Sequence, residues 1–303
     1  MAFTLNLPYS VCYPVTQFAR RRLRTRPGGA QEEQAVYFEQ QYHDTHQRYR
    51  LHMRDLDLAG KTVLDVGSGL GGRALGWLDL GATHVTNIDI NRQELEAGRA
   101  IVLDRYPERA SRVVNRHPDD MTGEKDADVA ILFDAFEHLV EPDALLRRVY
   151  GWLRPGGILW VGSIGWYNYL ASHCTSAHIP IPWCQVLFSE TAMIKTIRTL
   201  LRSPGYTATV WERMEGLGRW DSVTTLRDRP GEPLNMLSLR QIRRVMKASP
   251  FELRQFRVYG FSGKAHSLAP LLSPLAKLPV LQELFHSYYT ALLLKSPGAL
   301  TIP

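Results

Sequence analysis

Gly67, Gly69 and Gly72 fall at G-x-G-x-x-G spacing within Val63-Leu-Asp-Val-Gly-Ser-Gly-Leu-Gly-Gly72. Glycine there lets backbone amides approach a ligand where a side chain would stand in the way. Asp89 ends a second short apolar run, about 20 residues further on, where a carboxylate can hold two ribose hydroxyls. Together they predict an adenosyl ligand. A second group, Phe133-Asp-Ala-Phe-Glu-His-Leu139, brings two carboxylates and an imidazole into five residues. Those types suit proton transfer or an oxygen-rich cation site.

The elements that must carry these residues alternate from Lys61 onward. Strands are expected at Thr62–Val66, His84–Asp89, Arg112–Asn115, Val129–Phe133 and Ile158–Gly162, with helices at Gly71–Leu80, Arg92–Arg105 and Asp143–Leu153. Such alternation predicts a parallel sheet with crossover helices. Arg154-Pro-Gly-Gly157 reads as a helix stop and a turn into the next strand. After Ser163 the alternation lapses for about 70 residues. It resumes with a helix at Ser238–Ala248, opened by a Ser238/Gln241 capping box. Strands follow at Phe251–Gly260 and Tyr288–Lys295. Four segments result: an N-terminal helical cap (1–56), a ligand-binding core (57–163), a lid or substrate insertion (164–236) and the completion of the sheet (237–303). Within the cap, Tyr37, Phe38, Tyr42 and Tyr49 recur at helical spacing, a packing pattern.

The glycine spacing alone also fits a dinucleotide such as NAD. Asp65, two residues ahead of the first glycine, suits a ligand with a cationic ammonium or sulfonium rather than a pyrophosphate. Asp134 and His138 stand at the carboxyl edge of the fourth strand, where ligands of such sheets bind. The order Val63-Leu-Asp-Val-Gly-Ser-Gly, Asp89, Asp134-Ala-Phe-Glu-His138 and Leu-Arg-Pro-Gly-Gly157 resembles the class I S-adenosylmethionine-dependent methyltransferases, well over 61–163 and loosely over 237–303. The resemblance implies an α/β fold: a seven-stranded Rossmann-like sheet with the last strand antiparallel, an N-terminal helical segment and a lid between strands 5 and 6. It also implies S-adenosylmethionine as the cofactor. Asp65, Gly67, Ser68 and Gly69 would surround its methionine, Asp89 the ribose and Ile90 the adenine. Asp120 is favoured over His117 and Asp119 at the adenine amine, and Asp134 would line the methyl-transfer face.

The acceptor chemistry is less constrained. For an oxygen acceptor a base must take a hydroxyl proton, and His138, oriented by Glu137, is the candidate pair. No Asn-Pro-Pro-Tyr motif for nitrogen acceptors is present, so O-methylation leads, with C- or N-methylation, an NAD-dependent oxidoreductase and a non-catalytic adenosyl-binding module as alternatives. Asp134-x-x-Glu137-His138 also resembles the acidic-x-x-Glu-His motif of ubiquinone-biosynthesis O-methyltransferases, which is associated with a divalent metal; a metal is not expected here. His173 or His178 could instead reach down from the lid as a base. His173, Cys174, His178 and Cys184 match no regular zinc spacing. Trp166, Tyr167, Tyr169 and Trp183 could wall an acceptor pocket, though packing explains each of them singly.

The chain has 303 residues, 45% hydrophobic and 22% charged, with net charge +6. Arg20, Arg21, Arg22, Arg24 and Arg26 read as a solvated segment; without interleaved aromatics they do not suggest a nucleic-acid partner. Three cysteines fit a reducing compartment, and the lack of a signal sequence or long apolar run makes the cytoplasm the expected location. The expected partner is a small-molecule or lipidic acceptor. Ser189–Arg202 and Ser267–Phe285 carry amphipathic stripes that could touch a membrane surface, but burial against the sheet is favoured. Oligomeric state is left open.

Overall fold

The computed structural model describes residues 4–20, 30–121, 126–174, 178–204, 206, 217–229, 233–260 and 273–297. Arg21, Arg22, Arg24 and Arg26 of the basic run, the break at Pro27–Gly29 and residues 267–272 lie outside them. Strands β1 (Thr62–Val66), β2 (His84–Ile88), β3 (Val113–Arg116), β4 (Ala127–Phe133), β5 (Leu153–Ser163), β6 (Glu252–Gly260) and β7 (His286–Leu294) form one sheet of order β3-β2-β1-β4-β5-β7-β6. The first five run parallel, and β7 is antiparallel to both β5 and β6. The expected seven strands and antiparallel last strand are present. The order reverses between β1 and β4, which opens a crevice beyond their carboxyl ends.

The α-helices among the described residues are α1 (Tyr9–Arg20), α2 (Ala30–His52), α3 (Arg73–Asp79), α4 (Arg92–Arg105), α5 (Pro142–Trp152), α6 (Cys184–Leu187), α7 (Glu190–Leu201), α8 (Leu239–Ala248) and α9 (Gln282–Phe285). The period-2 alternation of strand side chains divides the core into two faces. Leu64, Val66, Leu159 and Val161 pack with Leu146 and Val149 of α5 and Ile242 and Met246 of α8. Val63, Val129, Ile131 and Trp160 pack with Trp77 and Leu78 of α3 on the other face. α8 starts where its sequence says it should: Ser238 and Gln241 form the reciprocal capping box.

Two features differ from the sequence reading. The strand expected from Ile158 begins at Leu153, because Leu153 pairs with Ala127 ahead of an irregularity in the β4–β5 register. An additional helix, α1, spans Tyr9–Arg20 despite the interior Pro14. A proline there removes an intrahelical hydrogen bond, and tertiary packing overrides it. Cys12 of α1 lies in a third core with Cys174, Ile179, Cys184 and the apolar face of α7. The α7 stripe is therefore buried, Ala192, Met193, Ile194, Ile197 and Leu200 all belonging to the core. No described helix is long and apolar enough to cross a membrane.

His286 joins the insertion to β7. Its Nε2 accepts from the Gly165 amide at 3.0 Å, so Nδ1, 3.0 Å from the Gln282 carbonyl, carries the proton. Burial pushes its pKa down to about 4. The folded imidazole stays neutral where the unfolded one takes up a proton, so stability is full above pH 6.5 and lost as pH falls through 4. That window is worth up to about 3 kcal/mol. Thermal midpoints measured between pH 7 and pH 4 should fall, and His286→Gln should flatten the slope; an identical slope in the variant would remove His286 from the explanation.

Candidate active site

The turn between β1 and α3 is fixed from two sides. Gly67 has φ 74°, and a Cβ there would come within 2.5 Å of the Ala135 Cβ. Its amide donates to the Ile88 carbonyl at 2.8 Å. From α2, Gln41 accepts from the Gly72 amide at 3.1 Å through Oε1 and donates to the Ser68 carbonyl at 3.4 Å through Nε2. α2 therefore closes over the glycine turn. Gln41 was not singled out from the sequence: a glutamine on a polar helix gives no local sign of a contact 31 residues away.

Asp89 lies just beyond β2, as its spacing implied. Its Oδ2 accepts from the Gly69 amide at 2.8 Å, and its Oδ1 from the Asn91 amide at 2.9 Å. The neighbouring Ile90 side chain is 77% exposed, an apolar surface beside the carboxylate. Asp120, by contrast, is paired with Arg92 at 2.8 and 3.3 Å, and this partner holds its carboxyl below the usual range. The adjacent Asp119 is bonded by Arg148 at 3.2 Å, and His117 Nδ1 accepts from the Asp119 amide.

Asp65 is completely buried at the end of β1. Its Oδ2 accepts from Trp77 Nε1 at 3.0 Å, while Oδ1 has no hydrogen-bond partner. Burial pushes its pKa up, opposed by the charge of Arg73 and the Trp77 hydrogen bond. Ser68 Oγ is likewise buried and unpartnered. A cavity of about 290 Å³ opens between α2, α3 and the end of β4, lined among others by Tyr37, Asp44, Arg48, Arg73 and Asp134. Asp134 has φ 51°, which turns the chain sharply at the end of β4. Tyr288, buried on the same side, has its phenol pKa raised by burial and by the Asp134 carboxylate.

The turn Phe136–His138 carries the two residues expected to act as an acid–base pair, Glu137 and His138. Glu137 is 8% exposed, and its Oε2 accepts from Ser163 Oγ. His138 Nδ1 lies 3.1 Å from the Pro233 carbonyl. A carbonyl only accepts, so Nδ1 bears the hydrogen and Nε2 of the neutral ring carries the lone pair. Asn235 braces the turn, donating from Nδ2 to the Phe136 carbonyl at 2.6 Å and from its amide to the Glu137 carbonyl at 2.8 Å. His173 of the insertion completes the group, its ring edge-on to His138 at 4.7 Å and its Nε2 3.8 Å from Glu137 Oε1. Glu137, His138 and His173 each bring one ligand-type atom within 4.8 Å of the others, a grouping with no second example among the described residues. His138 does not line the cavity; Asp134, four residues earlier, does.

Other insertion residues do different work. Cys12, Cys174 and Cys184 are buried, unlinked cysteines. Trp183 packs on Tyr169 and Phe285 at 5.8 and 5.9 Å and donates to the Leu284 carbonyl. Pro233, Asn235 and Ser163 had no sequence signal, because each acts through a contact distant in the chain.

The glycine turn, the carboxylate after β2 and the acidic turn after β4 all meet the crevice of one parallel sheet. Residues 64–159 match the family described as a methyltransferase domain. The match covers about a third of the chain and is to a methyltransferase domain. Phosphoethanolamine N-methyltransferase 2 of Caenorhabditis elegans is 33% identical over 102 residues, 32% of this chain and 22% of that protein. The ubiquinone biosynthesis O-methyltransferase of Aeromonas salmonicida is 29% identical over 107 residues, 35% of this chain and 44% of that protein. The chain thus matches less than half the length of either relative. Geranyl diphosphate C-methyltransferase from Streptomyces coelicolor A3(2) superposes with TM-score 0.50 at 12% identity, over 82% of this chain and 77% of that one. That likeness is one of fold, the Rossmann-like sheet of class I methyltransferases.

The matched segment has the features an S-adenosylmethionine site would need. Gly67 leaves no room for a side chain, Asp89 keeps lone pairs beyond its two backbone donors, and Asp65 and Ser68 hold buried atoms that lack partners. These residues fit the donor.

Proposed function

We propose that this chain transfers a methyl group from S-adenosylmethionine to a hydroxyl oxygen of a small-molecule or lipidic acceptor. In this reading Asp65, Gly67, Ser68 and Gly69 surround the methionine end of the donor, and Asp134 lines the methyl-transfer face. Asp89 holds the ribose, Ile90 packs on adenine, and Asp120 meets the adenine amine by exchanging part of its pairing with Arg92. The bound donor supplies an electrophilic methyl carbon. The chain's own task is to align an acceptor oxygen with that carbon and to take the hydroxyl proton.

The observation that carries oxygen transfer is the His138 ring, held by its Nδ1–H on the Pro233 carbonyl with Nε2 left as the basic nitrogen. Glu137 lies beside it to stabilise the imidazolium that results. The kinship with an enzyme named for ubiquinone-biosynthesis O-methylation supports the same reading, whereas the N-methyltransferase relative favours nitrogen. Incubation with tritiated-methyl donor and a small-molecule and lipid extract separates them. Label is expected in methyl ethers, and His138→Ala should lower its transfer by about 100-fold or more while donor affinity persists. Label on nitrogen or carbon, or undiminished transfer by the variant, would overturn the proposal.

A further inference from the structure

Helix α8 turns its apolar side, Leu239, Ile242 and Met246, into the core. Its outer side carries Arg240, Arg243, Arg244 and Lys247, all exposed, at the i, i+3, i+4, i+7 spacing that places them on one face. The helix has no acidic residue. Among the described residues none of these four side chains forms an ion pair, whereas Arg254 and Arg257 of the following strand pair with Glu252 and Asp55 at 2.8 and 2.9 Å. Like charges three and four positions apart destabilise a helix, so these four weaken the helix that displays them. α5 covers the same face of the sheet and adds the exposed Arg147, which likewise has no ion pair among the described residues.

The helix is fixed in place. Glu283, itself buried, accepts from the Leu239 and Arg240 amides at 2.8 and 3.1 Å, and the Ser238–Gln241 capping box closes the same end. That end stands at the crevice edge: the Trp166 amide, just past β5, donates to the Leu237 carbonyl at 2.8 Å, and Asn235 holds the turn that carries Glu137 and His138. Val140, two residues beyond His138, is 71% exposed. A rigid row of positive charge thus leads to an apolar side chain on the crevice rim.

We propose that this face docks the chain on an anionic phospholipid surface. A bilayer offers negative headgroups in a plane with apolar chains beneath them, the complement of a row of cations ending at an apolar rim. The apolar side of α8 is already buried, so the helix rests on the headgroups and the attraction is electrostatic. Nucleic acid fits less well, because the exposed side of α8 has no aromatic ring to stack on a base. Docking of this kind gives a lipidic acceptor a short path to the crevice, and it does not depend on which atom receives the methyl group.

The test is flotation of the full chain with vesicles of phosphatidylcholine, alone or with about 30% phosphatidylglycerol. Anionic vesicles are expected to bind it at least about 10-fold more tightly than neutral ones, and raising salt from about 0.05 M to about 0.5 M should remove most of that preference. The fourfold variant Arg240→Gln, Arg243→Gln, Arg244→Gln and Lys247→Gln should bind anionic vesicles about 30-fold or more weakly. All four positions are exposed, so circular dichroism should match the unmodified chain. A control with Arg50, Arg99, Arg227 and Lys277, also exposed, each replaced by Gln removes the same charge elsewhere and should lose less than about threefold. Equal binding to both vesicle types, binding to neither, or equal losses in the two variants overturns the proposal. So does tighter binding of a duplex DNA of about 20 base pairs that the fourfold variant loses, which assigns the face to nucleic acid.

Discussion

Gly67→Ala is expected to cost the fold about 2–5 kcal/mol, from a left-handed non-glycine residue and an overpacked contact together, and to abolish donor binding. Gly67 sits at φ 74°, and its added Cβ would stand 2.5 Å from the Cβ of Ala135. Ala135 follows Asp134 in the turn after β4, so relief of the clash must move either the glycine turn or the acidic turn. Both border the proposed donor site. Gly156 supplies the control: its φ is 79°, but a Cβ there meets nothing within 4 Å. Gly156→Ala should therefore cost only the backbone component, about 1–2 kcal/mol, and leave donor affinity unchanged. Denaturant midpoints and donor titrations of the two variants decide the matter. Equal losses in both would mean that the contact with Ala135 does not hold the turn.

Asp89→Ala is expected to weaken S-adenosylhomocysteine by about 100-fold or more, roughly 3 kcal/mol for two charge-assisted hydrogen bonds. A carboxylate offers about four acceptor positions. The Gly69 and Asn91 amides use one oxygen each, which leaves a lone pair on each for the vicinal hydroxyls. The backbone bonds give the residue a second role, because loss of the Gly69 bond frees the glycine turn. Asp89→Asn separates the roles poorly, since an amide nitrogen turned toward Gly69 would meet a donor. A loss below about threefold in the alanine variant, with the fold intact by circular dichroism, would remove Asp89 from the ribose site.

Much of this was legible in the residues because the signals are local. Alternating apolar strands and glycine turns gave the succession of strands and helices, and the spacing from Gly69 to Asp89 placed a carboxylate at the adjoining strand end. Ser238 and Gln241 form the capping box their spacing implied, and the α7 stripe lies buried as favoured, but in the core it shares with α1 and the insertion rather than against the sheet. What was not legible depends on contacts far apart in sequence. Arg73 follows the glycines as an ordinary helix residue, and only the fold brings it against Phe133, 60 positions away. His173 was one of two candidate bases in the insertion; its left-handed backbone, at φ 53°, and its approach to Glu137 required the tertiary structure. His178, the other, is buried against Trp220. α1 had no reading from the sequence; it carries Pro14 in its interior, and burial of Cys12 in the core of the insertion outweighs that cost.

Calorimetric titration of the unmodified chain with S-adenosylhomocysteine and, separately, with NAD reads the central claim directly. The expected result is saturable one-to-one binding of S-adenosylhomocysteine, sharply weakened by Asp89→Ala, and no binding of NAD. Binding of NAD without binding of S-adenosylhomocysteine would contradict it.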